Sequence, residues 1–130
     1  MSSRIGPLGL PAFLLPETTI HANGASPVLD LGDSPAPLLL TLGILDVVEQ
    51  ESLLLGIHGS ADAATWLPEP LTGFPEKFYP GVSAVYLDPA AHAIRFIRAE
   101  WKVNRWGRGS KTPSYRLYLF AEPLDPPRAG

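Results

Sequence analysis

Alternation of apolar and polar side chains predicts most of the regular structure in this chain. Proline breaks helices and cannot donate to a sheet, so the proline-free intervals 38–67 and 90–112 are where the core elements are expected. Leu38 to Val48 is apolar at both its odd-numbered and its even-numbered positions, which predicts a strand that is buried on both faces. Leu53 to Gly59 predicts a second strand, and the polar residues Glu49 to Glu51 between the two predict a connecting hairpin.

Two later segments predict strands that are buried on one face only. Arg95 to Val103 and Tyr115 to Ala121 each place apolar side chains at alternate positions, which is the period-2 pattern of a half-exposed strand. The positions between them are Phe96, Arg98, Glu100 and Lys102 in the first segment and Arg116, Tyr118 and Phe120 in the second. Trp101 falls on the apolar parity of the first segment. It is therefore expected in the core.

Shorter strands are predicted at Ser83 to Leu87, at residues 18–21 and at residues 28–31. No segment sustains helical periodicity over three turns, and residues 88–93 have room for one helical turn at most. Short strands separated by turns predict an all-β fold. We expect a single antiparallel β-sandwich of the jelly-roll or galactose-binding-like type, with little or no helix.

The composition fits one globular domain. The chain has 130 residues, of which 45% are hydrophobic and 18% are charged, so it is too apolar to be disordered. The 15 prolines and 12 glycines indicate that much of it is turns and loops. We predict an N-terminal arm rich in proline and glycine over residues 1–17, the sandwich over 18–122 and a C-terminal tail over 123–130.

Several classes of protein are excluded by what the sequence lacks. With no cysteine, the chain has no disulfide, no thiolate metal site and no cysteine nucleophile. No span reaches the ~20 consecutive apolar residues of a membrane helix, and the N-terminal apolar stretch does not resemble a convincing signal peptide. The sequence predicts a soluble protein and leaves its compartment open.

One turn carries a resemblance to a known family. Ser60-Ala-Asp62-Ala-Ala-Thr-Trp66 is similar to the S-x-D-G-x-x-W hairpin signature of discoidin-like domains, which belong to the galactose-binding-like β-sandwich superfamily. Ile94 to Arg98 resembles a later strand of that family, and residues 115–121 stand where its last strand would be. The resemblance implies a β-sandwich and, as one possible activity, carbohydrate binding.

A looser similarity links the chain to small β-sandwich proteins of tailed-phage virions. In those proteins an L-D-L-G segment precedes an L-x-L-T-L strand, as Leu29 to Gly32 precedes Leu40 to Leu42 here. The chain also departs from the discoidin-like pattern, because Ala63 stands where the family has its turn glycine and the cysteine pair is absent. The family's calcium and sugar sites are therefore not carried over.

The polar residues do not form a recognisable catalytic or metal-binding motif. His58, Ser60 and Asp62 occupy alternate positions, but alternate side chains of a strand project in parallel about 6.5 Å apart and cannot converge as a catalytic triad does. We interpret Ser60 and Asp62 as turn residues that bond nearby backbone groups. Gly107 to Thr112 lacks the glycines of a phosphate-binding loop. We expect no enzymatic activity, no metal and no cofactor.

Charge is distributed unevenly along the chain. Residues 1–94 contain two basic and ten acidic side chains, whereas residues 95–130 contain eight basic and three acidic ones. Three interpretations of the basic segment 95–116 stay open: it pairs with acidic neighbours in the same molecule, it meets the acidic face of another copy or partner, or it binds a polyanion or sugar. The overall acidity of the chain, with a pI of about 5.5, argues against nucleic acid as a partner.

These observations predict a structural or interaction module that self-associates or decorates a larger assembly of virion or other type, through complementary acidic and basic faces. The alternative is a carbohydrate-binding module in which tryptophan or tyrosine side chains stack on a sugar beside charged groups. The proline-rich segment 67–81 is interpreted as a cover for a sheet edge, in preference to a rigid binding loop. The candidate binding residues are Trp106, Arg105, Arg108, Arg98, Lys102, Trp66, Asp62 and Tyr79.

Overall fold

The computed structural model describes residues 11–32, 35–47, 51–106 and 112–124. The strands are β1 (Ala12–Ile20), β2 (Gly24–Ala25), β3 (Leu29–Asp30), β4 (Leu38–Val47), β5 (Glu51–Ser60), β6 (Thr72–Gly73), β7 (Gly81–Leu87), β8 (Phe96–Arg105) and β9 (Tyr115–Pro123). The helical turn predicted near residues 88–93 is a 3-10 helix over Pro89–His92.

The strands form two antiparallel sheets that face each other. Sheet A has the strand order β1-β9-β4-β7, and sheet B has the order β2-β8-β5-β6, with β3 also paired to β8. The predicted all-β sandwich is therefore confirmed.

The core lies between the sheets and is built by alternate residues of the long strands. Trp101 is 8% exposed, as predicted, and its indole Nε1 donates a hydrogen bond to the Ala22 carbonyl at 3.0 Å. Full burial of one large aliphatic side chain contributes about 1.5–3 kcal/mol. The central strands contribute Leu40, Leu42, Leu53, Leu55, Ile57, Ile97, Ala99, Tyr115, Leu117, Leu119 and Ala121.

The connection from β4 to β5 is not the predicted hairpin. β4 pairs with β7 and β9 in sheet A, whereas β5 pairs with β6 and β8 in sheet B, so the chain crosses between the layers there. Residues 48–50 lie outside the described residues. Polar residues between two apolar runs favour a hairpin because consecutive strands usually pair, but local pattern does not encode which sheet a strand joins.

Glu51, predicted in that turn, is instead the first residue of β5 and is 1% exposed. Its carboxylate accepts a hydrogen bond from the Ser114 backbone N–H at 2.9 Å. Burial, reinforced by the carboxylates of Glu51 and Glu76, raises the pKa of Tyr115. The Tyr115 hydroxyl therefore stays protonated and donates to the Lys77 carbonyl at 3.0 Å.

The sandwich begins before the predicted boundary at residue 18. β1 starts at Ala12, so residues 12–17 belong to a strand and not to an arm. Pro16 is tolerated because β1 is an edge strand of sheet A, and its register with β9 shifts between Phe13 and Leu15 and again between Leu15 and Thr18. Residues 1–10 and 125–130 lie outside the described residues.

The proline-rich segment 67–81 covers the outer edge of sheet B, as the favoured interpretation predicts. Its backbone N–H groups donate to successive carbonyls of β5 at distances between 2.7 and 3.0 Å. A strand edge paired in this way cannot accept another strand. The donor and acceptor pairs are Leu67 with Gly59, Leu71 with Ile57, Phe74 with Leu55 and Lys77 with Leu53.

Candidate interaction surface

The turn that follows β5 is held by its own polar side chains. The buried Ser60 hydroxyl accepts hydrogen bonds from the N–H groups of Asp62 at 3.2 Å and Ala63 at 2.8 Å, and it donates to the Thr65 carbonyl at 2.6 Å. Asp62 Oδ1 accepts from the N–H groups of Ala64 and Thr65, both at 2.8 Å. These bonds, led by the one from Thr65, lower the pKa of Asp62. The predicted turn role of Ser60 and Asp62 is confirmed.

Replacement of Ala63 by glycine is expected to stabilise the protein. Ala63 has a φ of 64°, in the left-handed region where a Cβ costs about 1–2 kcal/mol. Glycine removes that cost, but the greater entropy of its unfolded chain offsets about 0.5–1 kcal/mol of the gain. Ala63→Gly should therefore raise the free energy of unfolding, measured by urea titration, by about 0.5 kcal/mol. The neighbouring Ala64→Gly has no such strain to relieve and should lower it. A loss of stability in both variants would contradict this account.

The outward face of sheet B is charged and largely paired within the chain. Arg98 donates to Glu100 at 2.9 Å, and its guanidinium lies 4.3 Å from the ring centroid of Trp66. His58 Nε2 lies 3.6 Å from the other carboxylate oxygen of Glu100. Lys102 is exposed on the same face, directly across from the Leu54 position of β5.

Two further arginines of the basic segment also pair within the chain. Arg95 binds Asp30 through two hydrogen bonds of 2.8 and 3.0 Å, and Arg116 lies 3.7 Å from Glu17. Of the three interpretations left open for this segment, the structure supports internal pairing for these arginines and for Arg98. An exposed pair such as Arg116–Glu17 contributes about 0.2–1 kcal/mol.

The predicted contact residues do not converge on one site. Trp66 and Asp62 follow β5 at its Ser60 end, where Trp66 bridges back to Ser60. Arg105 lies across from Glu51 in the register of β8 with β5, at the opposite end of β5. The two ends are about 30 Å apart for a strand of this length. Lys102 and Arg98 lie between these ends, and Arg108 lies outside the described residues.

The aromatic residues near Arg105 form a separate exposed cluster. The Phe78 ring centroid lies 6.3 Å from that of Trp106 and 6.4 Å from that of Tyr79. Trp106 is 53% exposed and Tyr79 is 78% exposed, so both candidate binding residues are accessible to solvent. A sugar platform that combines Trp66 with this cluster is excluded by the distance between them.

A groove of about 860 Å³ runs across the outward face of sheet B. Leu54 and Pro70 supply apolar walls, and His58, Glu100 and Lys102 supply polar groups. Neither Trp66 nor Trp106 lines it. The aromatic residues that do line it, Phe74 and Trp101, are buried. The groove could therefore hold a sugar by hydrogen bonds but not by stacking on an exposed ring.

The outward face of sheet A is apolar, and the sequence analysis did not single it out. It consists of three adjacent cross-strand rows, which we call the apolar face. Glu122 is the single charged side chain within these rows, and Glu17 lines the same shallow depression as Phe13 and Phe120. Arg116 and Asp46, which lie opposite each other, form the charged margin. The rows are Glu122, Leu39 and Tyr86; Phe13, Phe120, Thr41 and Ala84; and Tyr118, Gly43 and Val82.

The aromatic side chains of the apolar face pack on one another and still remain exposed. The Phe13 ring centroid lies 4.9 Å from that of Phe120, at 59°, and 6.0 Å from that of Tyr118, at 85°. Phe13 is nevertheless 50% exposed, Tyr86 58% and Val82 70%. A contiguous surface of this kind, bordered by charged groups, is typical of a protein contact site.

The sequence did contain a signal for this face. The outward parity of β9 carries Tyr118 and Phe120, where a solvated strand would carry polar residues. β4 was predicted to be buried on both faces, and that prediction is wrong for this chain by itself: its even-numbered residues 38–44 pack in the core, whereas Leu39 and Thr41 lie on the outward face.

Comparisons with protein families, with characterised proteins and with solved structures find no match to this chain. The discoidin-like and virion-type resemblances therefore stay predictions, and the β-sandwich is the part of them that the structure supports. Within the described ranges, no helix is long and apolar enough to cross a membrane. In the same ranges, no three His, Asp or Glu side chains are grouped as metal ligands would be.

Proposed function

We propose that this protein is a non-enzymatic structural module that self-associates by burying the apolar face of sheet A. The observation that carries the proposal is the mostly apolar surface that crosses all four strands of that sheet, from Phe13 on β1 to Tyr86 on β7. Burial of apolar surface contributes about 25 cal/mol per Å², so an exposed surface of this kind favours association.

The pattern of β4 supports the same conclusion. A strand that is apolar at both parities is typical of a sheet covered on both faces. In the single chain, sheet B covers one face of β4 and Leu39 is left on the other. A second copy packed on the apolar face would supply the missing cover.

Burial, and not charge, carries this proposed contact. The basic segment was predicted to meet an acidic partner surface, but Arg95, Arg98 and Arg116 already have carboxylate partners in the same chain. A contact through the apolar face needs none of these groups. Its strength should therefore depend little on salt concentration.

Ring geometry favours a protein partner over a sugar at the apolar face. Stacking on a sugar needs flat, exposed ring faces, whereas Phe13 meets its two aromatic neighbours at 59° and 85°. Tilted and edge-on rings of this kind present an uneven apolar surface. Such a surface fits complementary side chains.

The proposal is tested by sedimentation velocity over a wide range of protein concentration. Phe13→Ser removes an exposed ring from the apolar face and is expected to raise the dimer Kd about tenfold. Phe78→Ser is the matched control, because Phe78 has a similar exposure of 40% but lies in the other aromatic cluster. Equal association of the two variants would contradict the proposal.

A second candidate, carbohydrate binding, is supported by the groove on sheet B. His58, Glu100 and Lys102 project into it and supply both donors and acceptors for sugar hydroxyls. Glycan-array binding that is lost in His58→Ala but kept in Trp106→Ala would support this function. If the wild-type protein binds no glycan on a broad array, this function is contradicted.

A further inference from the structure

We infer that two copies of this chain pair through the outer edge of β7, so that their two four-stranded sheets A join into one continuous sheet. The inference rests on the proposed self-association and adds a second contact to it, because pairing at the edge leaves the apolar face itself uncovered. Strand-to-strand pairing of this kind draws its affinity from main-chain hydrogen bonds.

The outer edge of β7 is long, regular and uncharged. Gly81–Leu87 pairs with β4 over all seven residues without a register shift, and no strand of the described residues pairs with its other side. The strand contains no proline, no charged residue and no bulge. An edge without these features is a ready template for another strand.

The remaining sheet edges are protected. β1 carries Pro16 and Glu17 and has two register shifts, which prevent regular pairing on its outer side. The outer edge of β5 is covered by the proline-rich segment 67–81, and β2 and β3 are two residues long. Among the described strands, β7 is therefore the one long edge that the fold leaves open.

A second copy is the partner that fits this edge. Antiparallel pairing of β7 with itself about a two-fold axis places the central Ala84 opposite its own copy, and Val82 opposite Tyr86 of the second copy. A small residue at the axis allows close approach, and a Tyr–Val pair is a favourable cross-strand contact. Because β7 contains no charged residue, pairing it with its own copy brings no like charges together. The two apolar faces then lie side by side as one larger surface, which can be buried against the same surface of a second pair of copies.

Charge placed at the axis tests the pairing. In Ala84→Lys, two lysines lie directly opposite each other, and we expect the dimer Kd measured by sedimentation velocity to rise about tenfold or more. Ala84→Glu should do the same. An equimolar mixture of the two variants should associate again, because each pair then joins opposite charges. Ala61→Lys, on an exposed turn of the other sheet, is the matched control and should associate as the wild type does.

The outcomes separate this inference from the proposed function. Ala84 also lies in the apolar face, so weaker association of Ala84→Lys alone is expected from either contact. If the wild type associates and Phe13→Ser weakens that association, but the mixture of Ala84→Lys and Ala84→Glu stays dissociated, self-association through the apolar face stands and edge pairing is overturned. A wild type that stays monomeric at every concentration overturns both.

Amide hydrogen exchange on the unaltered chain provides a test that does not depend on how the variants fold. Edge pairing predicts that those backbone amides of Gly81–Leu87 that point away from β4 exchange more slowly as the wild-type concentration rises, while those of β1 on the opposite edge do not change. Equal exchange of β7 in dilute and concentrated samples of an associating protein would contradict it.

Discussion

Leu117→Ala is expected to lower the free energy of unfolding by about 3 kcal/mol, the largest effect of any single substitution considered for this protein. Leu117 is fully buried on β9, which lies between β1 and β4 in sheet A. Truncation there removes apolar contacts and leaves a cavity that the paired strands on either side cannot close. Urea denaturation followed by tryptophan fluorescence measures the change.

Leu54→Ala is the matched control for that substitution. Leu54 is 50% exposed on the outward face of sheet B, so the same chemical change should cost under about 1 kcal/mol. If the two leucine variants lose equal stability, Leu117 is not in a core between two sheets and the sandwich described here is wrong.

Ser60→Ala is expected to cost about 2–3 kcal/mol, the second largest effect. The Ser60 hydroxyl is 0% exposed and bonds three backbone groups, those of Asp62, Ala63 and Thr65. Alanine fills nearly the same space but leaves these groups without their partner, and each buried unsatisfied group costs about 1–3 kcal/mol, reduced here where water can reach the turn.

The half-buried Ser83 of β7 offers the control for Ser60→Ala. Within the described part of the chain its hydroxyl makes no side-chain hydrogen bond, so Ser83→Ala should change the unfolding free energy by less than about 0.5 kcal/mol. Comparable losses in the two serine variants would show that the turn after β5 is not held by the Ser60 hydroxyl.

The strands that alternate strictly could be predicted from the sequence because burial on one face of a sheet has a period of two residues. The inward residues of β9 and the burial of Trp101 on β8 follow from that period alone. The local pattern did not predict that β1 contains Pro16. A proline is tolerated inside a strand at the edge of a sheet, and the local pattern does not show which strands lie at an edge.

Features that depend on long-range partners could not be predicted. The sequence showed that the C-terminal part is basic, but Arg95 finds Asp30 across 65 positions of the chain, and only the pairing of β3 with β8 brings them together. The same limit applies to the hairpin predicted after β4. Which strands share a sheet also determines that Tyr118, Phe13 and Tyr86 lie on one face.

The central claim is that this protein self-associates by burying apolar surface of sheet A. Sedimentation velocity of the wild-type chain at about 50 mM and about 500 mM NaCl, over a wide range of concentration, tests it most directly. We expect a concentration-dependent dimer whose Kd is unchanged or lower at the higher salt concentration. A protein that is monomeric throughout, or a dimer that dissociates as salt screens its charges, would contradict the claim.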